Sequence, residues 1–316
     1  MSTVVDGVDD LPAGVAFVAT VGVFDGMHRG HEAVVRATRD AARRLDATAV
    51  AITFEPHPEL VLRGSGPPLL CDPLEKLMRL GRDGIDTVVV QAFDRTFAGQ
   101  TAAEFIDRLS AGRHLRGIVM SAESAFGRDR AGTAAAVAEL GADRGFEVLQ
   151  APLVAVGGER ISSSRIRHEL ETGRLSAAAR QLGRRYAVIG EVVHGDGRGR
   201  TLGYPTANLA FPTPVALPRN GIYAVRVTWG GADPLGPERR ADGVASLGVR
   251  PTFGLGGRVL EVHLLEFDED LYGVRLRVEF VRRQRGERRF AGAEALVHQM
   301  DRDTERSREI LRSSGP

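Results

Sequence analysis

Two histidines stand three residues apart, at positions 28 and 31, in a glycine-containing segment between a predicted strand and a predicted helix. Glycine lets a backbone approach a ligand closely, and the free amides and dipole at a helix start favour an anion. Two imidazoles there can both donate to one phosphate, an electrostatic role that suits nucleotidyl transfer. The segment therefore predicts catalytic roles for His28 and His31, with nucleotide contacts from Gly22, Phe24, Asp25 and Gly26.

Two other interpretations of this histidine pair stay open. A His-x-x-His pair can bind zinc, but no third residue of metal-ligating type stands nearby at a suitable spacing. A histidine in a turn can also be purely structural. The glycines and the helix start favour phosphate chemistry over both.

A second helix start lies at residues 161–167, where three consecutive serines precede two arginines. Serine supplies an N-cap and hydroxyl donors, and a guanidinium forms strong hydrogen bonds with phosphate oxygens. A simple capped helix is the alternative for this segment taken alone. Alongside the histidines, the pattern predicts that the β and γ phosphates of a nucleotide contact Ser163, Ser164, Arg165 and Arg167.

A glycine-rich loop at residues 195–203 leads into Thr206 and Asn208, two oxygen-bearing side chains on one side of a short extended segment. Loop amides can surround phosphates, although glycine loops alone are weak indicators. Hard oxygen donors suit Mg²⁺, which usually keeps several waters and bridges substrate phosphates. The pattern predicts a magnesium site at Thr206 and Asn208, with nucleotide contacts from Gly195, Arg198, Arg200 and Gly203.

The candidate catalytic base is Glu261, on a strand predicted at residues 259–267. A carboxylate that faces a barrel cavity can accept a hydroxyl proton during phosphoryl transfer, which is worth about 10²- to 10⁴-fold in rate. A carboxylate on an edge strand is usually only solvated. Both interpretations stay open for this residue taken alone.

The elements around these residues predict two domains of different class. Residues 1–183 alternate short apolar runs with helical periods, which is typical of a Rossmann-like α/β domain with a mostly parallel sheet. Ligands bind beyond the carboxyl ends of such strands. Residues 184–316 contain short strands of period two, which indicates a small antiparallel β-barrel, followed by a helix at about 291–311. The alanine-rich stretch 172–183 is the predicted joint.

Composition excludes several classes of protein. The chain has 316 residues, one cysteine and one lysine, Lys76, among its 42 Lys and Arg residues. A P-loop needs a lysine after its glycines, and Lys76 has no such context. A formal net charge of +1 gives no overall field for nucleic acid, and one cysteine cannot form an internal disulfide. Without an apolar run long enough to span a membrane, the chain is expected to be cytoplasmic.

Together these segments resemble the prokaryotic bifunctional riboflavin kinase/FAD synthetase family, from about residue 17 to residue 311. Residues 22–31 look like its FMN adenylyltransferase signature and residues 203–208 like its flavokinase signature. The resemblance implies that the barrel phosphorylates riboflavin with ATP and Mg²⁺. It also implies that the first domain then joins FMN to a second ATP, giving FAD and pyrophosphate. Flavin contacts are implied for His57, Glu123, Ser124 and Phe126.

One block departs from the family pattern. Where the family usually has a glycine, an Asp or Asn and a phenylalanine before Phe-Gly, this chain has Ser121, Glu123 and Ser124. An alternative is therefore a riboflavin kinase whose altered first domain uses another nucleotide such as CTP, or a flavin analogue, or is weakly active. A second alternative is a non-catalytic flavin-binding or regulatory protein. The expected partners are small molecules, with neither nucleic acid nor a membrane; the oligomeric state is not predicted.

Overall fold

The structure, a computed structural model, describes residues 2–195, 197–249 and 257–315, without the side chains of Arg198 and Arg200. Its contacts divide the chain into two compact units. The first comprises Met1–Pro67 and Pro73–Ser162, and the second comprises Pro68–Asp72 and Ser163–Pro316. The short segment 68–72 therefore belongs with the second unit, although it interrupts the first along the chain.

The first unit is built on a parallel sheet. Within the described residues this sheet has six strands in the order β1-β4-β3-β2-β5-β8. Phe17 and Ala19 of β2 lie in one buried apolar cluster and Val18 lies in another, because successive side chains point to opposite faces. Both faces are therefore covered. The strands of this unit are β1 (Thr3–Val5), β2 (Ala16–Val21), β3 (Thr48–Glu55), β4 (Thr87–Ala92), β5 (His114–Met120), β6 (Ala125–Phe126), β7 (Gly132–Thr133), β8 (Glu147–Gln150), β9 (Ala155–Val156) and β10 (Glu159–Arg160).

Helices connect the strands of the first unit, and their ends follow capping rules. Thr101 and Glu104 form a reciprocal capping box at the start of α5, and His28 caps α1. The helices are α1 (Arg29–Arg44), α2 (Pro58–Arg63), α3 (Pro73–Arg82), α4 (Arg95–Ala98), α5 (Ala102–Ser110) and α6 (Ala134–Arg144).

The second unit is built on a closed antiparallel barrel in the order β11-β12-β15-β14-β13-β16. Its strands bury alternate residues, such as Leu260 and Val262 of β15, because one face lines the interior and the other faces out. The strands are β11 (Ala187–Val193), β12 (Ala207–Ala210), β13 (Gly221–Trp229), β14 (Arg239–Val249), β15 (Arg258–Leu264) and β16 (Arg275–Arg285). The helices are α7 (Ser163–Glu171), α8 (Leu175–Leu182), α9 (Arg198–Thr201) and α10 (Ala293–Ser313).

Helix α10 packs on the outside of this barrel. Ile310 and Leu311 bury their side chains against Ala224 of β13. Arg285 of β16 forms a largely buried ion pair with Asp303 of α10, with a shortest N–O distance of 2.5 Å. Apolar contact and a shielded charge pair therefore hold the helix on the barrel.

The predicted fold class, a Rossmann-like α/β domain and then a small barrel with a C-terminal helix, is confirmed. The predicted joint at 172–183 contains helix α8, whose contacts lie in the second unit. The domain boundary at residues 183 and 184 stays a prediction, because a division by contacts need not coincide with one by function. Of the helices in the described part of the chain, none is both long and apolar enough to cross a bilayer.

Candidate functional site

The histidine loop, residues 22–31, leaves the carboxyl end of β2 and enters α1. In the sheet, β2 lies between β3 and β5, and the strand order reverses direction there. Open α/β sheets bind ligands at such a switch point, beyond the carboxyl ends of the strands. The loop therefore lies at the position in this fold where a ligand is expected.

The backbone of this loop is held in an unusual conformation. Phe24 and Met27 have φ values of +53° and +39°, a region that non-glycine residues seldom adopt. Both side chains are buried, at 2% and 1% exposure, so core packing holds the turn in place. The absence of a side chain at Gly22 makes room for Phe24, because a Cβ there would lie 3.2 Å from the Phe24 ring. Asp25, between the two unusual residues, is buried as well.

The two imidazoles are stacked at the start of α1. Their ring centroids lie 3.6 Å apart with an interplanar angle of 14°. The Nδ1 atom of His28 accepts a hydrogen bond from the His31 amide at 3.2 Å, which caps the helix. Because that Nδ1 is an acceptor, the neutral His28 ring carries its proton on Nε2. The pair thus combines the structural role considered above with a ring donor suited to phosphate.

His57 lies at the end of neighbouring strand β3, so it shares the sheet edge that carries the histidine loop. Its Nδ1 accepts a hydrogen bond from the Glu59 amide at 3.2 Å and caps α2. The side chain is half-buried. His57 therefore has a structural role as a helix cap, while flavin contact stays a prediction.

Residues 121–124, which differ from the family pattern, follow β5, and β5 lies beside β2 on the side opposite β3. The hydroxyls of Ser121 and Ser124 lie 2.7 Å apart, and the Ser121 amide donates to the Ser124 hydroxyl at 3.2 Å, which closes the turn. The Glu123 carboxylate pairs with the Arg160 guanidinium. Phe126 packs edge-to-face on Phe105, with centroids 5.6 Å apart. The substituted serines thus support one another.

The serine–arginine segment begins α7, which belongs to the second compact unit. Ser163 and Ser164 are its first two residues. Arg165 faces the buried Glu169 at 3.7 Å, and the Arg167 Nε donates to the Pro68 carbonyl at 2.7 Å. Contact of this segment with a triphosphate stays a prediction.

A row of polar residues crosses the outer face of the barrel. The strand register sets Asn208 of β12 directly opposite Glu261 of β15, and Glu261 opposite Ser246 of β14. We call these three residues the outer-face row. Its neighbours Leu260 and Val262 are fully buried, so Glu261 points outward and is half-buried. Alternation gives the barrel interior to its apolar neighbours, so Glu261 lies on the outer face, and its role as a base stays a prediction.

The glycine loop lies directly against this row. A Cβ added to Gly195 would overlap the Asn208 carboxamide, whose Nδ2 is the nearest atom and whose Oδ1 would stand 2.7 Å away. One added to Gly199 would overlap the Tyr204 carbonyl oxygen and stand 3.3 Å from the Thr206 Oγ1. Glycine therefore allows the loop backbone to pack closely on this segment. Gly203 has a φ of +83°, which also suits glycine. The side chains of Arg198 and Arg200 lie outside the described residues.

Aromatic and acidic residues support the segment that precedes Thr206. The Nδ1 of His263 lies 2.8 Å from the Pro205 carbonyl oxygen, and the ring of Tyr204 meets that of His263 edge-on at 5.1 Å. The Tyr204 hydroxyl donates to Asp301 of α10. Burial, followed by this hydrogen bond, raises the pKa of Tyr204 to about 12.

Two family models match the chain in succession, FAD synthetase over residues 13–165 and riboflavin kinase over residues 182–311. The bifunctional riboflavin kinase/FMN adenylyltransferase of Escherichia coli (strain K12) is 38% identical over 302 residues, covering 95% of this chain and 94% of the relative. The chain belongs to the bifunctional riboflavin kinase/FMN adenylyltransferase family. The resemblance of its sequence segments is thereby confirmed.

Other relatives in this family extend the match. The bifunctional enzyme of Pseudomonas fluorescens is 36% identical and that of Bacillus subtilis (strain 168) is 32% identical, covering 94% and 90% of this chain and the same shares of the relatives. A crystal structure of a protein named macrolide-efflux protein, from Streptococcus pneumoniae, has a TM-score of 0.84 at 30% identity, covering 97% of this chain and 98% of its own. That likeness supports the fold.

Family membership does not by itself assign the residues of either site. Sequence reasoning missed Ser246, His263 and Asp301, which the structure places around the predicted residues of the barrel. His263 could have been found, because it stands two positions after Glu261 and so shares its face of the strand. Ser246 and Asp301 could not, because each depends on a contact between distant parts of the chain.

Proposed function

We propose that this member of the family makes FMN from riboflavin and ATP in its barrel domain, residues 184–316, and FAD from FMN and ATP in its α/β domain, residues 1–183. One observation carries the proposal. The chain has two separate groups of phosphate-handling side chains, the stacked histidines in one unit and the outer-face row beneath a glycine loop in the other. The two family models, in the same order, support it.

In the kinase reaction, the Glu261 carboxylate accepts the proton of the ribityl 5′-hydroxyl of riboflavin. The hydroxyl oxygen bonds to the γ-phosphorus of ATP as the bond to the β,γ-bridging oxygen breaks, and ADP leaves. The half-buried setting of Glu261, between Asn208 and Ser246 on neighbouring strands, favours a fixed carboxylate over a freely moving one. The glycine loop surrounds the phosphates of ATP. Its nucleotide contacts come from Gly195, Arg198, Arg200 and Gly203.

Magnesium fits the donor set at this site. The Thr206 hydroxyl and the Asn208 carboxamide are hard oxygen donors, and both lie against the glycine-loop backbone. These two residues would hold the ion together with water and substrate phosphate oxygens. When bound, Mg²⁺ would neutralise charge that develops on the transferred phosphoryl group.

In the adenylyl transfer, a phosphate oxygen of FMN bonds to the α-phosphorus of ATP and pyrophosphate leaves. His28 and His31 donate to the phosphate oxygens, where negative charge increases in the transition state. Gly22, Phe24, Asp25 and Gly26 shape the loop around the nucleotide, and the β and γ phosphates contact Ser163, Ser164, Arg165 and Arg167. The flavin contacts His57, Glu123, Ser124 and Phe126. The substrates are dissolved small molecules of the cytoplasm.

The deciding experiment supplies purified protein with riboflavin, Mg²⁺ and one of ATP, CTP, GTP or UTP, and identifies products by mass spectrometry. FMN followed by FAD, with ATP as the preferred donor for the dinucleotide, is the expected result. FMN alone, or a different dinucleotide, would instead support the altered-pocket alternative, which the named relatives do not favour. Omitting Mg²⁺ and adding a chelator should stop FMN formation.

A further inference from the structure

The chain's one lysine lies inside the first unit. Lys76, on α3, is 8% exposed. The other 41 of the chain's 42 Lys and Arg residues are arginines. An ammonium is a compact charge with three donors, whereas a guanidinium is a larger planar fork, so the two are not interchangeable at a buried position. A lysine in this arginine-rich chain therefore marks a position with a specific steric and hydrogen-bonding requirement.

Lys76 contacts the sheet at Thr53 of β3. Its Nζ lies 3.0 Å from the Thr53 Oγ1, and that hydroxyl lies 3.1 Å from the carbonyl oxygen of Val23. An ammonium can only donate, so the Thr53 oxygen must accept from Lys76. The single hydroxyl proton of Thr53 is then directed at Val23. Lys76 thereby fixes the direction of the second hydrogen bond as well as forming the first.

Val23 is the residue immediately before the unusual turn of the histidine loop. Its carbonyl precedes Phe24, whose φ is +53°, and the turn continues to Met27. Non-glycine residues seldom adopt such angles, which persist only where surrounding contacts enforce them. The Thr53 hydrogen bond is one such contact, and it acts at the residue just before the turn that positions His28.

We propose that Lys76 is a positioning residue for the adenylyl transfer, acting through Thr53 and Val23 on the histidine loop. The proposal rests on the proposed function of that loop. Lys76 touches neither substrate in this scheme. It keeps the Thr53 hydroxyl aimed at the Val23 carbonyl, so that the loop backbone, and with it the paired imidazoles, stays in the geometry that the reaction needs.

The test compares Lys76→Met and Thr53→Val with the double variant in the full chain, using supplied FMN and ATP. Each single change should lower kcat for FAD formation by about 10- to 100-fold, the cost of a small misplacement of catalytic groups. KM should change little. Because the residues act as one relay, the double variant should be no slower than the slower single variant. Thr53→Ser, which keeps the hydroxyl, should restore most of kcat.

A matched control is Thr38→Val. Thr38 is another fully buried threonine of this unit, and its hydroxyl donates to the Val34 carbonyl at 2.8 Å, away from the loop. This change should leave kcat for FAD formation within about two-fold. A packing change away from the histidine loop is expected to alter stability, not the position of the reacting groups. Should Lys76→Met fail to fold, Thr53→Val and Thr53→Ser, compared with the control Thr38→Val, still test the proposal.

A second readout uses the uniqueness of the residue. Protein labelled with nitrogen-15 lysine should give one Nζ resonance, which needs no assignment because the chain has one lysine. Thr53→Val should shift that resonance and Thr38→Val should not. Unchanged kcat in both Lys76→Met and Thr53→Val, or strictly additive losses in the double variant, would overturn the proposal. His28→Ala, measured in parallel, separates failure of this proposal from failure of the proposed function. Full FAD formation in that variant would overturn the proposed function of the loop.

Discussion

The two candidate sites use opposite means to fix their geometry. In the first unit, a connection between strand and helix carries the histidines, and buried Phe24 and Met27 hold its backbone in a conformation those residues seldom adopt. In the second unit, regular strand pairing places Asn208 beside Glu261, and the unusual feature is the glycine backbone packed on their face. The histidine site depends on core packing under its loop, and the barrel site depends on the room that glycines leave over its strand face.

This difference predicts how each site fails. A substitution that disturbs the core beneath the histidine loop should reduce FAD formation and spare the kinase. A substitution that adds a single carbon to the glycine loop should do the reverse. Since both activities are measured on one chain, each variant carries its own internal control for protein concentration and for folding of the other unit.

The largest effect is expected for Glu261→Gln, which keeps the shape of the side chain but removes the proton acceptor. FMN formation from riboflavin should fall by about 10²- to 10⁴-fold, the usual contribution of a general base. Conversion of supplied FMN to FAD should continue at the wild-type rate. Both are measured by chromatography of the flavins. If Glu261→Gln kept its kinase rate, the outer-face row would not be the catalytic site.

His28→Asn should produce the opposite pattern, with a somewhat smaller loss. Asparagine is a good helix N-cap, so the variant keeps the start of α1 while losing the imidazole donor. FAD formation should fall by about 10²- to 10³-fold, as on removal of a donor that stabilises developing charge. FMN formation should be unaffected.

The matched variant His28→Ala loses the cap as well. It should show the same kinetic defect and an additional loss of about 1 kcal/mol in the free energy of unfolding. Thermal or denaturant unfolding of the two variants separates these contributions. A wild-type rate in His28→Asn would show that only the cap matters, and that the structural interpretation of the histidine is sufficient.

Much of this arrangement could be predicted from local sequence. The histidine loop was placed correctly between a strand and a helix, because an apolar run, glycines and a helical period follow one another within a short stretch. The barrel was predicted from strands of period two. The direction of Glu261 was left open, although its apolar neighbours Leu260 and Val262 already indicated that it points outward.

Other features depend on contacts that no local pattern contains. Left-handed backbone at Phe24 is not predictable, because an aromatic residue seldom adopts it and only the packed core enforces it. The placement of Ser246 beside Glu261 depends on the register between β14 and β15. Strand β1 was missed because its three residues follow no distinctive pattern and pair with β4, far along the chain.

A smaller effect is expected for Gly195→Ala. The added carbon would stand within 2.7 Å of the Asn208 Oδ1, so the loop or the Asn208 side chain must shift. FMN formation should fall by about 10-fold, while FAD formation from supplied FMN stays unchanged. Gly292→Ala, also in the second unit but with open space around the new carbon, is the control and should leave both rates intact. Equal rates of FMN formation for Gly195→Ala and Gly292→Ala would show that the glycine loop does not contribute to the kinase site.

The smallest effect concerns Tyr204, which supports the kinase site from outside. Its pKa is raised to about 12 by burial and then by Asp301, so in the folded protein it stays neutral where an exposed tyrosine ionises. A raised folded pKa means that this contribution to stability is complete below about pH 10 and is lost as pH rises toward about 12. Tyr204→Phe should therefore flatten the decline of unfolding free energy across that range.

Two measurements check this prediction. Phenolate absorbance during alkaline titration of the folded protein should show one late-ionising tyrosine fewer in Tyr204→Phe than in the wild type. Kinase rate at neutral pH should fall only a few-fold, since one net hydrogen bond is worth about 0.5–1.5 kcal/mol and Tyr204 lies beside the predicted metal ligands rather than among them. A loss as large as that of Glu261→Gln would mean that the segment before Thr206, and not the barrel register, chiefly fixes the kinase site.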